Sequence, residues 1–390
     1  MKHHDPSPIA TTGPLAYCLL AFVAMAGLAY INFLPGVVNA LAENIGFRDA
    51  QAGQIVAING HGGLLGLAIA IVLIPRVRWQ YAMLTFLALL VMVDLATAWV
   101  EPYPLLLGWR FGAGVLGGLC VGIGLAVLAR LNDPDRAFGL LMFVQFSLGS
   151  VVIYLLPGLE TVLGPHAVFY VMATLAALSL IFLPFLPTLP LGNRPAEPSP
   201  PLPANTTLLL LAILGYQVAA SGIWAYVGLI GRDAGMAAEP VSQYIAATGL
   251  LGLLGAMLPM IRGKRFGRLF WLTTGLAMSM VAAVLLDYAQ HNILYVVAMA
   301  LLFFAWPAVQ SFLLAVTADM DRTGRLSAMA GLTTYVGLAS GPLLASSLLE
   351  RDSFSVMLYS CAGIFFMSFV LLLRPVQTQD APVGTVSLSQ

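Results

Sequence analysis

Three ionisable side chains, Arg110, Asp94 and His61, lie inside long apolar stretches of this chain. A charge held in hydrocarbon is costly, so such groups are functional suspects by default. At 1.5 Å per helical residue, Arg110 lies roughly 9 Å inside one end of its stretch. Asp94 lies at a similar depth in the preceding, antiparallel stretch, so the two can form an ion pair that couples protons or holds an anion. The alternatives are that they merely neutralise one another, or that Asp94 reaches headgroup water. His61 sits about 16 Å into its stretch, near the midplane, beside Asn59, Gly60 and Gly62. An imidazole titrates near neutral pH and can carry a proton; equally, a neutral ring can bridge two helices by hydrogen bonds. Uncharged candidates at comparable depth are Gln145, Tyr216, Gln217, Trp224, Thr333, Thr334 and Tyr335. Tyr30 and Asn32 fall nearer one surface, Trp306 and Gln310 nearer the other. These residues suit an organic solute with an apolar or aromatic part. Trp and Tyr serve equally well as packing residues or interface anchors. No nucleotide loop, Ser/His/Asp set, His-x-x-x-His pair or carboxylate cluster appears, so no catalytic residue, cofactor or metal is expected.

Elements able to hold these residues follow from composition. The 390 residues are 60% hydrophobic and 9% charged, with a mean hydropathy of +0.92. Soluble domains carry about 25% charged residues, so this chain uses the lipid bilayer as its solvent. A formal charge of zero gives no sign of a nucleic-acid partner. Cys18, Cys120 and Cys361 lie in or at apolar runs, in no metal-ligand spacing, and read as inert thiols. The run after Met1–Pro14 is too long for a signal-peptide core and reads as a first span. A helix needs about 20 apolar residues to cross the bilayer. Twelve runs qualify: 15–39, 51–74, 80–100, 103–130, 137–158, 165–187, 207–231, 240–261, 268–288, 292–318, 326–349 and 355–373. They are long and lack two-residue alternation, which predicts helices rather than strands. Prolines at 35, 259, 307 and 342 predict local kinks. Glycine rows, Gly114/Gly118/Gly122, Gly62/Gly66 and Gly337/Gly341, predict close helix contacts.

Basic residues orient the spans. Thirteen of the Lys and Arg residues fall in the loops on the N-terminal side and three, Arg48, Arg232 and Arg351, on the other. The positive-inside rule therefore puts both ends in the cytoplasm. Glu43, Asp49, Glu160, Glu239, Asp287 and Glu350 read as solvated span ends. The Pro-rich stretch 188–206 reads as an extended tether. Residues 46–66 recur at 235–255, with eight of 21 positions identical at an offset of 189, where chance gives roughly two. The same offset carries Arg76 onto Arg265 and Arg136 onto Arg325. These four arginines, beside Asp133, Asp135, Asp319 and Asp321, are the expected gating residues of the cytoplasmic face. The expected fold is an all-α polytopic membrane protein, twelve transmembrane helices in two pseudo-symmetric six-helix bundles related by an axis along the membrane normal. Its parts are an N-terminal tail (1–14), a first bundle (15–187), a linker (188–206), a second bundle (207–373) and a C-terminal tail (374–390).

With this layout the chain resembles the major facilitator superfamily. Leu106-x-x-x-Arg110-x-x-Ala113-Gly114 is similar to that family's fourth-helix motif, with Ala113 in place of the usual Gln. Arg265-Phe266-Gly267-Arg268 is similar to the tail of its loop motif, with Lys264 where an acidic residue is usual and Pro75 at the matching place in the first half. Gly337-x-x-x-Gly341-Pro342 matches an antiporter motif of the fifth helix, here in the eleventh span. The resemblance implies a secondary active transporter moving a small organic solute by alternating access, with a proton as coupling partner through Arg110. It also implies a cavity lined by helices one, four, seven and ten. Asn32, Arg110, Gln217, Trp224 and Trp306 then lead as solute-binding residues, with Gln145 and Tyr335 beside them. A monomer in the inner (plasma) membrane of a bacterium is expected. A passive facilitator, or a receptor or sensor that binds without flux, are the other readings.

Overall fold

The computed structural model describes residues 13–186, 205–320, 325–349 and 354–380. The expected tether therefore lies almost wholly outside the described residues. Where no water reaches the backbone, each apolar run must satisfy its own N–H and C=O groups, and helices do so. The first half holds α1 (Pro14–Asn32), α2 (Leu34–Asn39), α3 (Asp49–Leu73), α4 (Trp79–Ala96), α5 (Tyr103–Leu128), α6 (Pro134–Leu163) and α7 (Ala167–Phe182). The second holds α8 (Thr206–Asp233), α9 (Ala238–Gly249), α10 (Leu251–Phe266), α11 (Arg268–Leu286), α12 (Asn292–Met320), α13 (Arg325–Leu348) and α14 (Phe354–Asp380). The pairs α1/α2 and α9/α10 each build one crossing, giving twelve. Eleven crossings are apolar enough to span a membrane by composition alone. The twelfth, α13, is 24 residues long and carries Thr333, Thr334, Tyr335 and Ser340.

Several helix ends differ from the sequence expectation. The first run breaks at Phe33, because Pro35 lacks an N–H and fits the first turn of a new helix. The fifth does not stop at Pro157-Gly158 but continues to Leu163. One missing N–H costs less than opening a helix end in hydrocarbon. The start of α6 is set by Asp133, whose carboxylate accepts from the Arg136 N–H at 3.0 Å, with Pro134 following. Pro307 and Pro342 lie inside unbroken helices, and α14 runs through Pro375 to Asp380, beyond the expected end at 373. The break at Leu250 has no proline to announce it.

Glycines let the helices of each bundle close on one another. A Cβ at Gly62 or Gly66 of α3 would overlap the Phe111 or Val115 carbonyl of α5. One at Gly114 or Gly118 would overlap the Asn59 or Gly63 carbonyl of α3. Gly337 and Gly341 bring α13 onto α8 in the same way. In lipid such close packing replaces the hydrophobic drive between helices.

The bundles meet in three places: α3 on α13, α6 on α9 and the start of α10, and α2 on α8. Exchanging the halves turns the first contact into the second. The third is its own counterpart. Its Asn39 touches Gly228 and its neighbouring Glu43 touches Arg232, and both pairs are separated by the repeat offset of 189. Equivalent positions can touch only beside the pseudo-two-fold axis, so these two pairs mark where it runs. The turn after them is also duplicated: Gly46 and Gly235 take φ of +94° and +89°, a region costly for side chains with a Cβ.

Candidate functional site

The Arg110 guanidinium is held between α4 and α5. Its Nη1 donates to Asp94 Oδ1 at 2.8 Å and to Thr97 Oγ1 at 3.3 Å. The rings of Tyr30 and Phe169 lie 4.6 and 5.1 Å from its central carbon, offering their negative faces to the cation. Both charges are buried, Arg110 at 1% exposure and Asp94 at 3%. The backbone here is tied to a third helix, because Asn59 Nδ2 of α3 donates to the Arg110 carbonyl at 2.8 Å. Arg110 Nε and the Tyr30 hydroxyl have no hydrogen-bond partner. Both residues line a cavity with Asn59, Asp94, Gly114 and Tyr335. A polar cavity wall with unspent donors suits water or a solute group.

His61 stands elsewhere. Its Nδ1 lies 2.8 Å from the Ala57 carbonyl one turn back, and its Nε2 lies 3.5 Å from Ser340 Oγ of α13. A carbonyl only accepts, so Nδ1 carries the proton and Nε2 is the lone-pair side in the neutral ring. The imidazole thus bridges the two bundles, apart from the Arg110 pair.

In the second bundle four side chains from three helices form one chain of hydrogen bonds. Trp306 Nε1 donates to Gln217 Oε1 at 2.6 Å, Gln217 Nε2 to Gln310 Oε1 at 2.7 Å, and Gln310 Nε2 to Thr334 Oγ1 at 3.0 Å. Between the bundles, Trp224 Nε1 donates to the Ile31 carbonyl at 3.0 Å, with its indole edge-on to Phe303. Trp224, Tyr30, Ser221 and Tyr335 line a second cavity there. Asn32 is buried at the end of α1 with Nδ2 unpartnered, and the Gln145 Oε1 of α6 is likewise unpartnered. Neither is joined to the Arg110 pair or to the four-residue chain by a described hydrogen bond.

The expected gating residues behave differently. Arg76 is exposed and donates to the Val72 carbonyl in the last turn of α3 at 2.6 Å. Arg136 lies over the Tyr17 ring of its own bundle, 5.4 Å away. Neither reaches the other bundle. The side chains of Arg265 and Arg325 lie outside the described residues, as do those of Asp135, Asp319 and Asp321. The described hydrogen bonds between bundles run from the midplane, at His61, to the face remote from the linker. They are Trp224 to Ile31, Tyr226 to the Asp49 carbonyl at 3.0 Å, Ser340 with His61, and Arg232 Nε to both Glu43 oxygens at 3.0 and 3.2 Å. Sequence reasoning set Glu43 among solvated ends. The available signal was that the repeat offset pairs an acid with a base at that position.

The model of the Major Facilitator Superfamily matches residues 18–320. The chain belongs to the Major Facilitator Superfamily. Among curated proteins no sequence relative matches. Solved structures share the fold at low identity. A mutant of the nucleoside transporter NupG is 12% identical with a TM-score of 0.77, covering 92% of this chain and 98% of that one. The D-xylose-proton symporter is 16% identical with a TM-score of 0.70, covering 91% and 96%. The human organic anion transporter MFSD10 (TETRAN) is 17% identical with a TM-score of 0.67, covering 93% and 100%. Superfamily membership makes this an integral membrane protein with a transporter fold, and a small-molecule solute its class of cargo.

Proposed function

We propose that this superfamily member is a secondary active transporter moving a small organic solute by alternating access, coupled to protons. We place it, as a monomer, in a bacterial inner membrane with both ends cytoplasmic. The observation that carries the reading is the one-sided seam. The described hydrogen bonds between the bundles run from the midplane to the face remote from the linker, while α1 packs on α5, α6 and α7 of its own bundle. With the linker in the cytoplasm, that is an inward-facing state. Rocking about the His61 and Trp224 contacts would exchange it for the opposite one.

Arg110 and Asp94 are the coupling candidates. A proton on Asp94 removes the charge that holds the guanidinium, which then turns to the Tyr30 side of the cavity. Gln217, Trp306, Trp224 and Tyr335, with Asn32 and Gln145, form the candidate solute walls. The nucleoside and xylose-proton neighbours agree with an organic cargo. The test is flux into proteoliposomes of labelled solutes from a broad panel. Uptake should follow an imposed proton gradient and collapse with a protonophore. Flux indifferent to the gradient would favour a passive facilitator, a reading that the presence of just one buried carboxylate among the described residues also supports.

A further inference from the structure

The four-residue chain Trp306–Gln217–Gln310–Thr334 has a fixed polarity, and this polarity selects a solute. An amide can be turned end for end, so two glutamines in contact do not by themselves define which atom faces which. An indole N–H, however, only donates. Trp306 Nε1 at 2.6 Å therefore fixes an oxygen on the near side of Gln217. Its NH₂ group must then meet the Gln310 oxygen, and the Gln310 NH₂ must meet Thr334 Oγ1. With its lone pair taken by Gln310, the Thr334 hydroxyl is left with its proton to give. Hydrogen bonds in series polarise one another, so this terminal O–H is a better donor than an isolated threonine.

The register of α13 sets Thr334 toward the cleft. On α13, Gly337 and Gly341 face α8, while Tyr335 and Ala339 face α3. Leu338, one turn beyond Thr334 on the same helix face, lines the cavity between the bundles. Gly331, three residues before Thr334, borders open space. Trp306 and Gln310 are one turn apart on α12 and half-buried. The wall so built carries no formal charge, and the buried Arg110 already has Asp94 as its counter-ion at 2.8 Å. A charged solute here would lose its hydration without gaining an opposite charge.

We infer that Thr334 and Gln310 form a subsite for an uncharged solute bearing a hydrogen-bond acceptor, a carbonyl, hydroxyl or ring nitrogen that takes the Thr334 proton, beside the Trp306 indole. The inference rests on the transporter reading and narrows its solute class. The test uses purified full-length protein and its thermal unfolding with four probes at millimolar concentration: uridine and D-xylose (uncharged, acceptor-rich), benzoate (anion) and choline (cation). At least one uncharged probe should raise the melting temperature. Thr334→Val should weaken its binding about tenfold, the worth of one net hydrogen bond, while Thr334→Ser keeps it. Gln310→Glu provides a second route if Thr334→Val folds poorly. A carboxylate there still accepts from Gln217 but cannot donate to Thr334, whose proton turns inward, so binding should again fall. Binding of the uncharged probe unchanged in both variants would overturn the subsite. So would stabilisation by benzoate or choline alone, or by no probe. Gradient-driven uptake of a charged solute in the same vesicles would leave the transporter reading standing and end only this inference.

Discussion

Arginine cannot shed its proton in a protein, whereas a buried carboxylate can take one up. This asymmetry separates two variants of one ion pair. Asp94→Asn strands a permanent cation at a site that is 1% exposed, at a cost of about 3–5 kcal/mol. Arg110→Ala leaves Asp94 free to neutralise itself. Asp94→Asn should therefore melt at the lower temperature in detergent, although Arg110→Ala should still abolish gradient-driven uptake. Near-normal uptake by Arg110→Ala would remove Arg110 from coupling. His61→Asn should keep the wild-type pH profile of transport, because its ring spends Nδ1–H on Ala57 and faces Ser340 rather than the charged pair. An altered profile would return His61 to the proton path. The meeting of Asp94 with Arg110 was legible in the sequence, since equal depth on consecutive antiparallel runs brings two residues together. The Trp306–Thr334 chain was not. Its members lie up to 117 positions apart on three helices, and nothing local in the sequence sets how those helices rotate about their axes.

Helix-level behaviour divides by whether a glycine faces a backbone. Gly118 of α5 lies against the Gly63 carbonyl, whereas Gly112 of the same helix borders open space. Gly118→Ala should cost about 1–3 kcal/mol through forced separation of α3 and α5. Gly112→Ala should be neutral or slightly stabilising, as helix propensity favours alanine. Thermal denaturation of the two variants side by side checks this. The crossings themselves were readable from run length, and the break at Phe33 from Pro35. Pro157 misled because proline weakens a helix in water far more decisively than in a setting that offers freed carbonyls no alternative. The break at Leu250 follows Gly249, but that mark did not decide the matter, because its counterpart at the repeat offset, Gly60, lies within the unbroken α3.

The molecule as a whole is set by how its halves face each other. Two bundles were visible in the repeat, but the side on which they close was not, since an alternating structure has two closures and one sequence. The Glu43–Arg232 pair should favour the closure seen here. Arg232→Glu should open the remote face, and adding Glu43→Arg should close it again. Labelling of a cysteine placed at Asn39 by a membrane-impermeant thiol reagent checks both steps. Each side chain is about a third exposed, so solvent screening keeps the expected rate change to roughly two- to fivefold. Equal labelling in all three proteins would show that the pair does not hold the seam. The position of this pair also speaks to ancestry. In an assembly of two identical half-length chains, residue 43 would confront its own copy, and any charge there would repel itself. Only copies that mutate separately, as the halves of a fused gene do, can place an acid on one side and a base on the other. The halves of this protein are thus no longer interchangeable: a dimer rebuilt from either one alone would bring like charges together where Glu43 and Arg232 now meet.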